Sequence, residues 1–172
     1  MGITSTVTTS DGTHLRMPKL LSTGESQRKR RLERKLSRQK KGSNRRNQTK
    51  LKLAKLTAKE ADRRRDWIEK TTTELVHNYH LIVIEDLKIK NMVRSASGTK
   101  ENPGKNVSQK RGLNRSIHSQ AWSIFRKRLE DKAANATSSV LVIAIDPKFT
   151  SQTCSCCEHT AKENRNSQAI FS

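Results

Sequence analysis

The 172 residues are 31% hydrophobic and 3% aromatic, which allows one domain of ordinary size around a modest core. Against 16 acidic residues stand 36 lysines and arginines, a net charge of +20, so the expected partner is polyanionic: DNA or RNA, with no small-molecule substrate. A membrane role is excluded at this level, because no apolar run approaches the ~20 residues of a span and the most basic segment lacks the apolar face of an interfacial helix.

The chain opens on Met1-Gly2-Ile3-Thr4, which resembles neither a signal nor a transit peptide. Up to Met17 it is rich in Thr and Val around Ser10-Asp11-Gly12-Thr13, and Asp-Gly flanked by β-formers predicts a hairpin with Asp11 in the turn. Pro18 and Gly24 then mark a loop.

Arg28 to Arg65 holds 18 Lys and Arg, half of the chain's total. Gly42-Ser43-Asn44 divides it. Leu32 and Leu36 lie at helical spacing before the break; Ala54, Ala58, Ala61, Ile68, Thr72 and Leu75 form a stripe after it, predicting a helix that runs to about Tyr79. A basic helical hairpin over 26–79 follows. Solvated helix faces normally mix signs; this one is nearly all positive, so a phosphate-binding surface is expected. Its candidate contacts are Arg28, Lys29, Arg30, Arg31, Arg34, Lys35, Arg38, Lys40, Lys41, Arg45, Arg46, Arg63, Arg64 and Arg65.

His80 to Glu85 predicts a strand buried on both sides and closed by Glu85-Asp86. Residues 88–112 read as a long basic loop containing Gly98, Pro103 and Gly104, with Lys105, Lys110 and Arg111 as further nucleic-acid contacts. Asn114 is the expected cap of one helix striped by Ile117, Ala121, Phe125, Leu129 and Ala133, with Trp122 beside it. Val140 to Ile145 predicts a second buried strand, ended by Asp146-Pro147. Strand, helix and strand of this kind form a βαβ unit with parallel pairing, hence an α/β layer architecture.

Two sites could carry chemistry. Glu85 is expected at the carboxyl edge of a parallel sheet, where open α/β folds place ligands. A carboxylate there can hold Mg²⁺, though two-ion phosphodiester cleavage needs several, and Asp146 or Asp86 are the nearest in sequence. Cys154-x-x-Cys157 can supply two thiolates to one Zn²⁺, half of a tetrahedral set, with His159 a possible third ligand. All three cysteines lie within 154–157, which is no disulfide framework and fits a reducing, cytoplasmic setting.

The segment His80-Leu-Ile-Val-Ile-Glu85-Asp86-Leu87 through Met92 resembles the second RuvC motif of TnpB-type proteins. Gly112-Leu113-Asn114-Arg115-Ser116-Ile117, Trp122 and Pro147 through Cys157 also resemble that family, the transposon-encoded OrfB transposases related to compact type V CRISPR nucleases. The resemblance implies a partial RNase H-like (RuvC) domain over 1–150 and the first half of a zinc ribbon over 151–172. It implies RNA-guided DNA cleavage at a Mg²⁺ site of Asp, Glu and Asp, with Glu85 as the Glu, and zinc at Cys154 and Cys157. Met1-Gly2-Ile3-Thr4 matches the stretch just after the family's first catalytic Asp, and the second CxxC and last Asp would follow Phe171. One of three carboxylates is therefore expected here, with binding retained and cleavage lost. The alternatives left open are residual Mg²⁺-dependent nicking and an unproductive fragment.

Overall fold

A computed structural model describes residues 1–137, 139–149, 152–154, 156–157 and 159–161. The chain begins with a hairpin: β1 (Val7–Thr8) pairs antiparallel with β2 (His14–Leu15). Asp11 and Gly12 form its turn. Gly12 has φ +86°, and the Asp11 carboxylate accepts the Thr13 N–H at 2.9 Å, so both residues serve the backbone as the Asp-Gly signal predicts.

Helix α1 (Thr23–Arg38) starts earlier than expected. Ser22 Oγ accepts the Glu25 N–H at 3.2 Å and Glu25 Oε2 accepts the Ser22 N–H at 3.0 Å, a complete capping box. Gly24, expected in a loop, therefore sits in the first helical turn. Gly42 (φ +83°) reverses the chain, and α2 (Asn44–Asn78) runs back for 35 residues, capped at its C-terminus by Tyr79. Its second half buries Ile68, Thr72 and Leu75, as the stripe predicts. In its first half Ala54, Ala58 and Ala61 are exposed. The partly buried line there is Leu53, Leu56, Glu60 and Arg64, because α1 packs on that side through ion pairs as well as leucines.

Strand β3 (Leu81–Glu85) pairs in parallel with β4 (Leu141–Ile145), Glu85 opposite Ile145. The connection contains three helices: α3 (Ile89–Met92), α4 (Val107–Gln120) and α5 (Trp122–Ala134). Two expectations change here. Residues 88–112 are not all loop, since α3 and the start of α4 lie within them. The single helix capped by Asn114 is two helices, broken at Ala121 (φ +53°). Asn114 lies inside α4, where its Nδ2 donates to the Val93 carbonyl at 2.8 Å; Lys110 Nζ donates to Met92 O at 2.7 Å. These two bonds fasten the long loop to α4.

The core is Ile68 and Leu75 of α2, Ile84 of β3, and Phe125 and Leu129 of α5. Ile82 and Val142 pack against it. The opposite sheet face, expected to be buried, is open: Leu81, Val83, Leu141, Ile143 and Ile145 are 40–57% exposed. Alternation sends odd-numbered residues away from α2 and α5, and nothing among the described residues covers them. The chain is a mixed α/β structure with few strands.

Candidate nucleic-acid interface and the acidic strand end

Residues 28, 31, 34/35 and 38 recur every three or four positions, so Arg28, Arg31, Arg34, Lys35 and Arg38 share one face of α1 over about 15 Å. Arg31, Arg34, Lys35 and Arg38, with Gln39, line a shallow depression of about 390 Å³. None of these five cations has an acidic partner within 4 Å among the described residues. Concentrated positive charge without internal compensation is available to an external polyanion.

Other sequence candidates are occupied. Lys29 pairs with Glu60, which also receives Arg64 at 3.4 Å. Arg63 Nη1 reaches Glu25 at 2.8 Å and the Leu20 carbonyl at 2.6 Å. Lys59 and the Ser22 N–H also donate to Glu25, and Lys59, the Ser22 N–H and Arg63, in that order, hold the Glu25 carboxyl at about 2. The Arg46 guanidinium donates to Leu36 O, and to Gln39 O at 3.0 Å, so it caps the end of α1. These residues hold the hairpin together. Lys110 is taken by the loop; Arg30, Lys40, Lys41, Arg45, Arg65, Lys105 and Arg111 are exposed.

At the end of β3 the two neighbouring acids part. Glu85 Oε2 lies 3.1 Å from the Met1 ammonium. Asp86 accepts from Lys88 and, at 2.6 Å, from Arg126 of α5; these two cations hold its carboxyl below the usual carboxylate range. Arg126 also pairs with Glu130 at 2.7 Å. Asp146 accepts the Lys148 N–H at 3.0 Å and thus forms a turn. Met1, Glu85, Trp122, Arg126, Lys127 and Glu130 border a cleft of about 340 Å³. Among the described residues no three His, Cys, Asp or Glu side chains converge closely enough to hold a metal ion. The described residues therefore do not fit a two-ion Mg²⁺ centre. The sequence reading missed Arg126: its i,i+4 pair with Glu130 is legible, but its reach to Asp86 needs the sheet.

The cysteine segment forms a small knuckle. Thr153 and Thr160 make an antiparallel bridge, and the Cys154 N–H donates to His159 O at 2.9 Å. The backbone N–H groups of Cys157 and Cys156, then the Cys157 thiol, donate to the Cys154 sulfur and lower its pKa. Residues 150, 151, 155, 158 and 162–172, which complete the expected half-ribbon, lie outside the described residues. Cys154 and Cys157 fit zinc as one half of a tetrahedral set.

With this geometry in view, the family model "OrfB_IS605: Probable transposase" matches residues 1–96. The chain belongs to this family. The model "Cas12f1-like, TNB domain" matches residues 122–171. The chain is 45% identical over 171 residues to "Putative RNA-guided DNA endonuclease InsQ" of Escherichia coli strain K12, covering 99% of this chain and 42% of that protein. It is 34% identical over 142 residues to "Putative RNA-guided DNA endonuclease" of Streptomyces pristinaespiralis, covering 83% of this chain and 31% of that one. The chain thus spans less than half the length of these OrfB-type relatives. No helix among the described residues is long and apolar enough to cross a membrane.

Proposed function

We propose that this chain is the phosphate-gripping part of a TnpB-type, RNA-guided DNA endonuclease, and that by itself it binds DNA or RNA without cutting it. The unpaired row Arg28, Arg31, Arg34, Lys35 and Arg38 carries the binding reading. In this reading α1 and α2 are a basic insertion in a partial RuvC fold, β3 and β4 belong to its parallel sheet, and the Cys154–Cys157 knuckle begins a zinc ribbon. Support for the fold reading is the parallel β3–β4 pair with an acid at its carboxyl end, together with the family match. Support for non-cleavage is the engagement of Asp86 by Arg126 and of Asp146 by its own turn, which leaves Glu85 without a second carboxylate.

The test is binding of the 172-residue chain to a labelled duplex and a structured RNA across a salt series with Mg²⁺ present. Affinity should fall steeply with salt. Replacing Arg31, Arg34, Lys35 and Arg38 together by Gln should reduce the logarithmic salt slope on duplex by roughly 0.9 for each phosphate that is no longer neutralised. An unchanged slope in that variant would sink the α1 interface. Substrate cut by the parent chain and spared by Glu85→Ala would instead establish nuclease activity.

A further inference from the structure

We infer that Cys154 and Cys157 bind zinc by joining the same two residues of a second copy of this chain, one ion held by four thiolates across a two-fold axis. The inference is independent of the nucleic-acid reading.

Three observations carry it. The first is that the knuckle is already shaped. The Thr153–Thr160 bridge and the Cys154 N–H to His159 O bond close the turn, and the Cys157 thiol lies within hydrogen-bonding reach of the Cys154 sulfur. A ligand pair with fixed spacing loses little freedom when the ion arrives.

The second is a shortage of ligands. A closed structural zinc site takes four ligands, commonly thiolates at about 2.3 Å. The whole sequence has three cysteines, and the third, Cys156, is the immediate neighbour of Cys157. Adjacent side chains diverge, so Cys156 is poorly placed to join the same ion. Among the described residues no third His, Cys, Asp or Glu converges on this pair. Two halves related by a two-fold axis complete a tetrahedron with identical chemistry, and an isologous contact of this kind closes at two copies.

The third is exposure and charge. Cys157 is exposed and Cys154 is partly so, which leaves both within reach of another molecule. On binding, each of the four thiols gives its proton to solvent, and Zn²⁺ with four thiolates carries a net charge of −2. Such a centre is favoured between two chains of +20 each. The remaining repulsion between the chains is screened by salt, so zinc-dependent pairing should tighten as salt rises, opposite to nucleic-acid binding.

The experiment uses the full 172-residue chain under reducing conditions, first stripped with a chelator and then titrated with ZnCl₂. Metal uptake and molecular mass are read on the same samples, with Co²⁺ in parallel to report the ligand set. The expected result is one zinc per two chains, a doubled mass reversed by chelator, a tetrahedral all-thiolate cobalt spectrum, and tighter pairing at higher salt. Cys154→Ser and Cys157→Ser should each abolish uptake and pairing while leaving the helical circular dichroism unchanged; Cys156→Ser should keep both. One zinc per monomeric chain, no zinc uptake, chelator-insensitive pairing, or loss of pairing in Cys156→Ser would each overturn the inference.

Discussion

Trp122 and Thr6 lie 116 residues apart and are joined by a hydrogen bond, the indole Nε1–H donating to the Thr6 carbonyl at 3.2 Å. Thr6 Oγ1 donates to Gln120 Oε1 at 2.7 Å and accepts the Met17 N–H at 3.2 Å, so Thr6 fastens the N-terminal hairpin to the α4–α5 junction. Trp122 and Thr6 are both buried. Trp122→Phe keeps the ring's packing but leaves a buried carbonyl unsatisfied, which costs about 1–3 kcal/mol. Urea unfolding should show that loss, with faster amide exchange in β1 and β2; an unchanged midpoint would show the bond to be idle.

The same junction carries a strained residue. Ala121 has φ +53°, a left-handed conformation that costs a non-glycine residue roughly 1–2 kcal/mol. Glycine removes that strain and loses some of the gain through added freedom in the unfolded chain. Ala121→Gly is expected to stabilise by roughly 0.5–1 kcal/mol, read as a raised urea midpoint with an unchanged slope.

Helices α2 and α5 are clamped by Glu69, which accepts two bonds from Arg128, at 2.6 and 2.9 Å, and one ion pair from Lys132 at 3.0 Å. Arg128 first and Lys132 second hold its carboxyl at about 2, below the ordinary 4.5. The folded pKa is depressed, so the clamp's contribution is present above pH 4.5 and is lost as pH falls from there through about 2. Partial exposure keeps the contribution modest. Glu69→Gln should be less stable than the parent at neutral pH, with the gap closing across that acid window. A gap independent of pH would mean the carboxylate's charge contributes nothing.

Arg46 separates structural from phosphate-binding arginines. Its guanidinium occupies the last carbonyls of α1, so Arg46→Ala should lower stability by about 1 kcal/mol and leave the salt slope of duplex binding where it was. The α1 face predicts the reverse pattern: Arg34→Gln changes the slope and not the stability. Chemical denaturation and the salt series, run on both variants, distinguish the two groups.

Gly104 is closely packed against the loop that follows β3. A Cβ there would stand 1.5 Å from the Ala96 carbonyl oxygen, while Gly98 and Pro103 form a bridge beside it. Gly104→Ala must open this turn. The expected signature is rapid tryptic cleavage after Lys100 with the core melting transition preserved.

Much of this architecture is legible in the sequence because it is local. The Asp11-Gly12 turn needs only a positive φ, and α2 ends at Asn78 where the Ile68–Thr72–Leu75 stripe ends. The apolar runs 81–84 and 140–145 become a parallel pair, and charge alone marks α1 as the helix that faces a polyanion. What the sequence could not decide depends on which surfaces meet. Ala54, Ala58 and Ala61 have helical spacing yet remain exposed, because α1 crosses on the Leu53–Leu56 side. Leu81, Val83 and Ile143 look like core and are half exposed, since hydrophobicity states a preference for burial and only packing supplies a partner. Lys29, Arg63 and Arg64 are indistinguishable from Arg31 and Arg34 by type or spacing. Tertiary structure separates them by setting Glu25 and Glu60 against the first three and no acid against the last two. The same holds for Asp86 and Glu85: neighbours in sequence, they differ because α5 brings Arg126 to one of them.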